Sequence, residues 1–307
     1  LVGVGRVKVD NTKTFYAFSP DLKPAVRVKP GTIVEIETKD CFSNQLISEE
    51  QLVTKIDWSL VNPATGPIYV EGAEPGDALV VKILKIDVSD EGFLVTLPGA
   101  GALPDLVKEA RTRKCYVVGE KVVFRGLVID ARKMVGVIGV ATGEKTPTGV
   151  PGRHGGNLDT KYVTEGSTLY LPVEVEGALF GLGDLHAAMG DGEVCVTGCE
   201  VSGRVTVVLD LIKNSAPEWP ILEYGDWVFV LVSNEDLEEG VKEAVEVGVK
   251  AISHVLRLDR DDAYMLASMV MDLEVSQVVD PRKTVRVRLP RNLIETKRLL
   301  EALKYGK

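Results

Sequence analysis

The 307-residue chain predicts a mainly β fold, a β-sandwich or barrel with a smaller α+β portion near the C-terminus. Three observations lead there. Up to about Asp226 apolar residues recur with period two, the spacing that places alternate side chains on one face of a sheet. Glycine- and proline-rich breaks, NPATGP, EGAEPGD, LPGAGALP and TPTGVPGRHGGN, separate short runs rich in Val, Ile and Leu. After DWVFVLV (Asp226 to Val232) the period lengthens to that of a helix. The chain reads as one domain, 1–307, with a mostly β portion, 1–225, and an α+β portion, 226–307.

Taken in order, VRVKPGTIVEIET (Val26 to Thr38) reads as a hairpin turned at Pro30-Gly31. ALVVKILKIDV, VVFRGLVI, MVGVIGVA, TLYLPVEVEG, EVCVTGCEV and RVTVVLDL each read as a strand. DLEEGVKEAVEVGVKAISHVLRL places Leu237, Val241, Ala244, Val245, Gly248, Ile252, Val255 and Leu256 on one helical stripe, with Ser233 or Asn234 available as its cap. DDAYMLASMVMD predicts a second helix, and ETKRLLEALKYGK a terminal one closed by Gly306. VEGAEPGDAL (Val70 to Leu79) echoes VEGALFGLGDLH (Val175 to His186), either as a structural repeat or because Gly-Asp is a common turn pair.

Composition narrows the function. Hydrophobic residues at 45% and charged residues at 26% are ordinary for a globular chain. A net charge of -9 argues against nucleic acid, whose phosphates need a basic surface. No apolar run approaches the ~20 residues that span a bilayer, and LVGVGRVKVD is too short and too charged for a signal peptide. Cys41, Cys115, Cys195 and Cys199 lack metal-motif spacing and read as reduced thiols, which points to the cytoplasm. In an extended EVCVTGCEV, Cys195 and Cys199 would stand roughly 13 Å apart, too far to bridge.

Chemistry concentrates in three segments. GDLHAAMGDGEV (Gly183 to Val194) carries one of only three histidines. In an extended segment Asp184 and His186 point to the same side, so a carboxylate and an imidazole can converge on one cation. Glu193 follows a Gly-Asp-Gly turn, with Asp191 as a further ligand or merely part of that turn. The competing interpretation is a solvated acidic loop. PGRHGGNLD (Pro151 to Asp159) offers His154 and Asp159, with Arg153 able to orient a carboxylate or bind an anion; the alternative is a flexible connector. TKDCFSNQ (Thr38 to Gln45) offers Asp40 as ligand or base, and Cys41 as nucleophile or small core filler. His254, in the helical stripe, reads as a surface residue. Neither GxGxxG opening a helix after a strand nor GxxxxGK[ST] is present, which sets nucleotide binding aside.

GDLHAAMGDGEV closely resembles the signature of the acetamidase/formamidase family, in outline Gly-Asp-x-His-Ala-x-x-Gly-Asp-Gly-Glu. NPATGPIYVEGAEPGDAL (Asn62 to Leu79), PGRHGGNLD and SQVVDPRKTVRVRLP (Ser276 to Pro290) resemble it too, in the family's order and over nearly the whole chain. Met189 departs from the pattern, standing where many members have glutamine. The resemblance implies a jelly-roll-like fold, a homo-oligomer, and a hydrolase that cleaves the C–N bond of small linear amides. The chain lacks the G-x-S-x-G nucleophile elbow, so the expected mechanism is a metal-activated water. Zinc is the expected metal, with calcium as a second ion. Glu193 is then the general base, with Asp40 as a further catalytic acid or ligand. His154, Asp159, Asp184 and His186 are the metal residues, and Gly155, Gly156 and Asn157 line the substrate. Two alternatives remain: an amidase that uses Cys41 as nucleophile, and a non-catalytic, cation-stabilised β-sandwich that binds a small ligand.

Overall fold

A computed structural model describes residues 6–305. The molecule is mainly β, two large mixed sheets packed face to face with three helices in the last quarter of the chain. Among the described residues the first sheet has nine strands. Its order is Val7–Val9, Thr32–Thr38, Gly203–Ile212, Ala78–Val88, Thr168–Pro172, Ile221–Tyr224, Trp227–Asn234, Lys283–Pro290 and Asp272–Gln277. The second runs from the hairpin Lys121–Phe124 and Leu127–Asp130 through Arg111–Val118, Glu91–Thr96, Glu200–Val201, Phe180–His186 and Met134–Gly139 to Gly155–Asn157, with Ala64–Val70 branching off Phe180–His186. Ile36, Ile83, Val205 and Phe229 of one sheet meet Ile138, Phe180 and Leu185 of the other in the main core.

The apolar run WVFVLV has its explanation in a second core. Phe229 and Leu231 point into the main core, whereas Val228, Val230 and Val232 point the opposite way, under α1 (Leu237–Leu256) and α3 (Thr296–Ala302). A strand covered on both faces is apolar at every position rather than alternating. Ala244, Gly248, Ile252 and Val255 of the expected stripe are buried, while Leu237 at its start is 38% exposed. Asp236 caps α1 instead of Ser233 or Asn234, which belong to the preceding strand; its carboxylate accepts from Glu239 N at 2.9 Å. α2 (Arg260–Val270) is the second expected helix. Gly306 lies outside the described residues.

Three strand expectations are corrected. Val26–Val28 and Thr32–Thr38 do not form a hairpin. The first runs parallel to Ala64–Val70, while the second lies in the other sheet, where Gly31 N donates to Leu209 O at the turn. VVFRGLVI is two strands rather than one. Arg125 and Gly126 both have positive φ, +51° and +83°, the turn that a two-residue hairpin loop requires. EVCVTGCEV pairs only at Glu200–Val201, because left-handed backbone at Glu193 and φ +138° at Val196 break the extended path. The Gly-Asp echo does not mark equivalent positions. Gly76-Asp77 closes a turn before a strand, whereas Gly183-Asp184 lies inside one.

The reading of all four cysteines as reduced thiols is also corrected. Cys115 and Cys199 form a disulfide across 84 residues, their Cα atoms 6.5 Å apart, while Cys41 and Cys195 are free. The cytoplasmic expectation rested on four thiols and loses that support. No described helix is long and apolar enough to cross a membrane.

Candidate active site

The Phe180–His186 strand carries the first two acid–base groups into the interior. Along it Asp184 and His186 do face the same way, with His186 Nε2 3.4 Å from Asp184 Oδ1. Glu200 stands directly opposite His186 in the antiparallel ladder, and its Oε2 lies 3.2 Å from the same nitrogen. Asp159 enters from the loop after Gly155–Asn157, its Oδ1 3.7 Å away. Glu193 returns on the Gly-Asp-Gly turn, its Oε1 at 3.9 Å. One imidazole therefore sits among four buried carboxylates.

Two features make this convergence possible. Gly136 faces Asp184 from the neighbouring strand, and a Cβ there would stand 2.6 Å from Asp184 Oδ2 and 2.9 Å from Asp184 O. Asp184, Asp159 and Glu193 also share left-handed backbone, φ +56°, +38° and +44°. Non-glycine residues adopt such backbone only where the surroundings impose it, most often at functional sites.

The electrostatics are those of crowded like charges. Burial, then the neighbouring Asp159, pushes the Glu193 carboxyl well above the usual carboxylate range. Burial likewise raises Glu200 to about 8, partly opposed by His186, and raises Asp159 to about 6 with Asp184 adding to it. Burial works against the His186 imidazolium, but Glu200 and Asp184 outweigh it and hold its pKa well above the usual value. Asp159 Oδ1, Asp184 Oδ1, Glu193 Oε2, Glu200 Oε2 and His186 Nδ1 have no hydrogen-bond partner within the protein. Buried polar atoms are nearly always paired, so the four carboxylates gathered around His186 Nε2 mark a place built for a ligand, while Nδ1 faces Gly198 on the far side of the ring. Asp159, His186 and Glu193 can offer ligand atoms within 4.8 Å of one another, as can Cys41, Asp184 and Glu200. Carboxylate, imidazole and thiol donors suit zinc-like ions.

The group opens into a cleft of about 200 Å³, small beside the 300–1,000 Å³ typical of drug-sized ligands. Its apolar wall includes Phe42, Trp58, Val61, Val95 and Leu97, and its polar side Asn62, Asn157 and Asp280. Asn157 Nδ2 donates to Asp280 Oδ2 at 3.0 Å, leaving Asn157 Oδ1 without a partner. Burial and then Asp159 raise the Asp280 carboxyl well above its usual range.

The other expected site residues have neighbours of their own. His154 packs edge-on against Phe18 at 5.3 Å with its Nε2 buried and unpartnered, and burial followed by Arg282 lowers it to about 4. Gly155 and Gly156 lie where a Cβ would strike the backbone of Ile138 and Val150, so close chain packing accounts for them. Arg153 pairs with Glu218 and Glu243 and stacks on Trp219. Asp40 folds its own loop, with Oδ1 accepting from Phe42 N at 3.0 Å and Asn44 N at 2.7 Å; burial raises its carboxyl to about 6. Asp191 pairs with Arg286 and Lys161, each at 2.7 Å, and belongs to the turn. His254 is exposed on α1.

Glu200 and Asp280 are the residues that sequence reasoning missed. Glu200 carried a signal, an acid inside an otherwise apolar CEV run that faces a histidine-bearing strand. Asp280 sits in the quoted SQVVDPRKTVRVRLP without any spacing to distinguish it.

Comparison with known proteins places the chain in a family. The sequence pattern of the Acetamidase/Formamidase family matches residues 5–148 and 140–296. A formamidase from Methylophilus methylotrophus is 29% identical over 66% of this chain, and the chain spans 65% of that relative's length. The crystal structure of an acetamidase from Bacillus halodurans superposes with a TM-score of 0.91 at 42% identity, over 93% of this chain and 98% of that one. A recombinant predicted acetamidase/formamidase from the thermophile Thermoanaerobacter tengcongensis gives the same TM-score and identity, over 95% and 97%. The chain belongs to the acetamidase/formamidase family.

Proposed function

We propose that this protein hydrolyses the C–N bond of small linear amides such as formamide or acetamide, releasing ammonia and the carboxylate. The observation that carries the proposal is the set of four buried carboxylates, Asp159, Asp184, Glu193 and Glu200, each with an unpartnered oxygen, around His186 Nε2 and beside a cleft sized for a small substrate. The relatives named formamidase and acetamidase support the reaction class.

In this proposal Asp159 and His186 would hold a divalent ion, with Asp184 and Glu200, which flank the same imidazole nitrogen at 3.4 and 3.2 Å, completing the set in place of His154. Zinc suits the imidazole better than calcium, which takes six to eight oxygen ligands. A divalent ion supplies Lewis acidity to the amide carbonyl and lowers the pKa of a water to about 7. Glu193 takes the proton of the attacking water and passes it to the leaving amine. Such positioned proton transfer is typically worth ~10²–10⁴-fold. Asn157 Oδ1, an unpartnered acceptor at the cleft, receives an amide N–H. Cys41 is a poor nucleophile here, because burial, then Glu200 and Asp184, push its thiol well above the usual value and leave little thiolate. The exposed apolar edge strand, with Leu127 68%, Val128 63% and Ile129 51% exposed, supports self-association into a homo-oligomer.

The test is metal content and ammonia release, on a panel of short amides, before and after chelation. Loss of turnover on chelation and its return with zinc are expected. Full activity without metal overturns the metal mechanism, and no ammonia from any amide favours the binding-module alternative. Glu193→Gln is expected to lower turnover at least ~10²-fold; an undiminished rate removes Glu193 as base. Cys41→Ala is expected to retain turnover.

A further inference from the structure

Arg286 is a fully buried arginine in the SQVVDPRKTVRVRLP segment, and none of the chemistry above uses it. Its neighbours Val285 and Val287 face the helix-covered core. Its own side chain lies on the opposite face, stacked 4.9 Å over the Tyr162 ring, which in turn stacks on Phe229. Nη2 donates to Asp191 Oδ2 at 2.7 Å, Nε to Glu274 Oε2 at 2.8 Å and Nη1 to Ser276 Oγ at 2.9 Å. Ser276 Oγ lies 2.7 Å from Thr160 Oγ1, and Ser276 O accepts from Gly192 N at 2.9 Å.

These bonds reach two chain segments that carry site residues. Thr160 follows Asp159, and Asp191 and Gly192 precede Glu193. A buried charge is costly unless fully paired, and such groups are often kept because they fix one geometry. Lys161 Nζ on Asp191 Oδ2 at 2.7 Å and Val278 N on Gly192 O at 3.1 Å also hold the Gly190–Glu193 turn, and Arg286 adds the link from that turn to Ser276 and, through Ser276 Oγ, to Thr160.

We propose that Arg286, through Asp191 and Ser276, is a positioning residue that sets Glu193 and Asp159 at the distance at which they converge with His186. The proposal rests on the amidase reading for its catalytic consequence but not for its structural one. Supporting hydrogen bonds of this kind around a metal centre typically carry ~10–100-fold in affinity or activity. Three variants probe it: Asp191→Asn and Ser276→Ala each weaken one link, and Arg286→Lys keeps the buried charge but loses the fork that reaches Asp191, Glu274 and Ser276 together. Arg288→Lys is the control. It alters a neighbouring arginine that shares Glu274 with Arg286 and also pairs with Asp272, but makes no bond to Asp191 or Ser276.

Three measurements on the full chain decide the matter: hydrogen–deuterium exchange over 188–196, zinc affinity by competition with a chromophoric chelator, and the KM and kcat for formamide. Faster exchange in that segment, ~10-fold weaker zinc binding and a fall in kcat with KM little changed are expected for the three variants and not for the control. Exchange and zinc affinity equal to those of the unmodified chain would overturn the proposal, as would the same losses in Arg288→Lys. If the unmodified chain binds no zinc and hydrolyses no amide, the amidase reading fails, and the exchange comparison still decides the role of Arg286.

Discussion

Gly136→Ala isolates the steric requirement of the site from its chemistry. Gly136 does not use left-handed backbone, so alanine there meets only a packing problem. Its new Cβ would lie 2.4 Å from Asp159 Oδ1, 2.6 Å from Asp184 Oδ2 and 2.9 Å from Asp184 O. Carbon–oxygen contacts settle near ~3.3–3.6 Å, so the Asp159 and Asp184 carboxylates must both retreat, by about 0.7–1.2 Å. Overpacking of that size costs about 1–3 kcal/mol, a lowering of the melting midpoint by several degrees. Misplacement by ~1 Å costs ~10²-fold in rate where positioning matters. Ammonia release from formamide should therefore fall about 100-fold, zinc binding should weaken, and the chain should remain folded by circular dichroism. Unchanged turnover with an unchanged midpoint would refute the reasoning, because it would mean that Asp184 needs no fixed position.

Three further outcomes follow from the structure. The two glycines of the Gly-Asp-Gly turn should respond oppositely: Gly190→Ala has open space and should be neutral or stabilising by ~0.4–1 kcal/mol, whereas Gly192→Ala, at φ +95°, should destabilise by about 1 kcal/mol or more in chemical unfolding. Asp77 is nearly buried; burial raises its carboxyl, but Lys213 at 2.7 Å and the amides of Asn214 and Glu74 outweigh this and lower its pKa. Its stabilisation is therefore present above the unfolded carboxylate value of about 3.9 and lost as pH falls through the folded value. Asp77→Asn should cost about 1–3 kcal/mol at pH 7, and the difference from the unmodified chain should vanish towards pH 2. Thiol titration of unfolded, unreduced protein should find two free cysteines rather than four, and breaking the 84-residue Cys115–Cys199 link should destabilise by up to ~4–5 kcal/mol.

Periodicity made the β portion, the change at Asp226 and all three helices legible, because each buries one face and its apolar spacing records which. Arg111–Val118 escaped notice, since its inward positions are Thr112, Cys115 and Val117 among basic residues. The hairpin at Pro30-Gly31 failed for a different reason. Turn chemistry identifies a reversal but not the sheet in which the next strand pairs. At the site, Asp184 and His186 were legible because strand geometry relates residues two apart, and Glu193 because glycines mark a turn. Glu200 meets His186 through ladder register, and Asp280 arrives from the far end of the chain. Neither relation is local: the acid within the apolar CEV run marks Glu200 as unusual without naming its partner, and nothing in the spacing marks Asp280. His154 shows the converse, a histidine in a glycine-rich loop whose neighbours are Phe18 and Arg282 rather than acids.

The left-handed backbone at Asp159, Asp184 and Glu193 bears on how such a chain drifts under mutation. Asparagine or glycine accommodates that conformation at less cost than glutamate, and each would also remove a buried charge. Substitutions that silence the site therefore lie downhill in folding free energy. A lineage released from the demands of its substrate should lose these acids early, while the apolar positions of the two sheets persist and keep the fold recognisable long after the chemistry has gone.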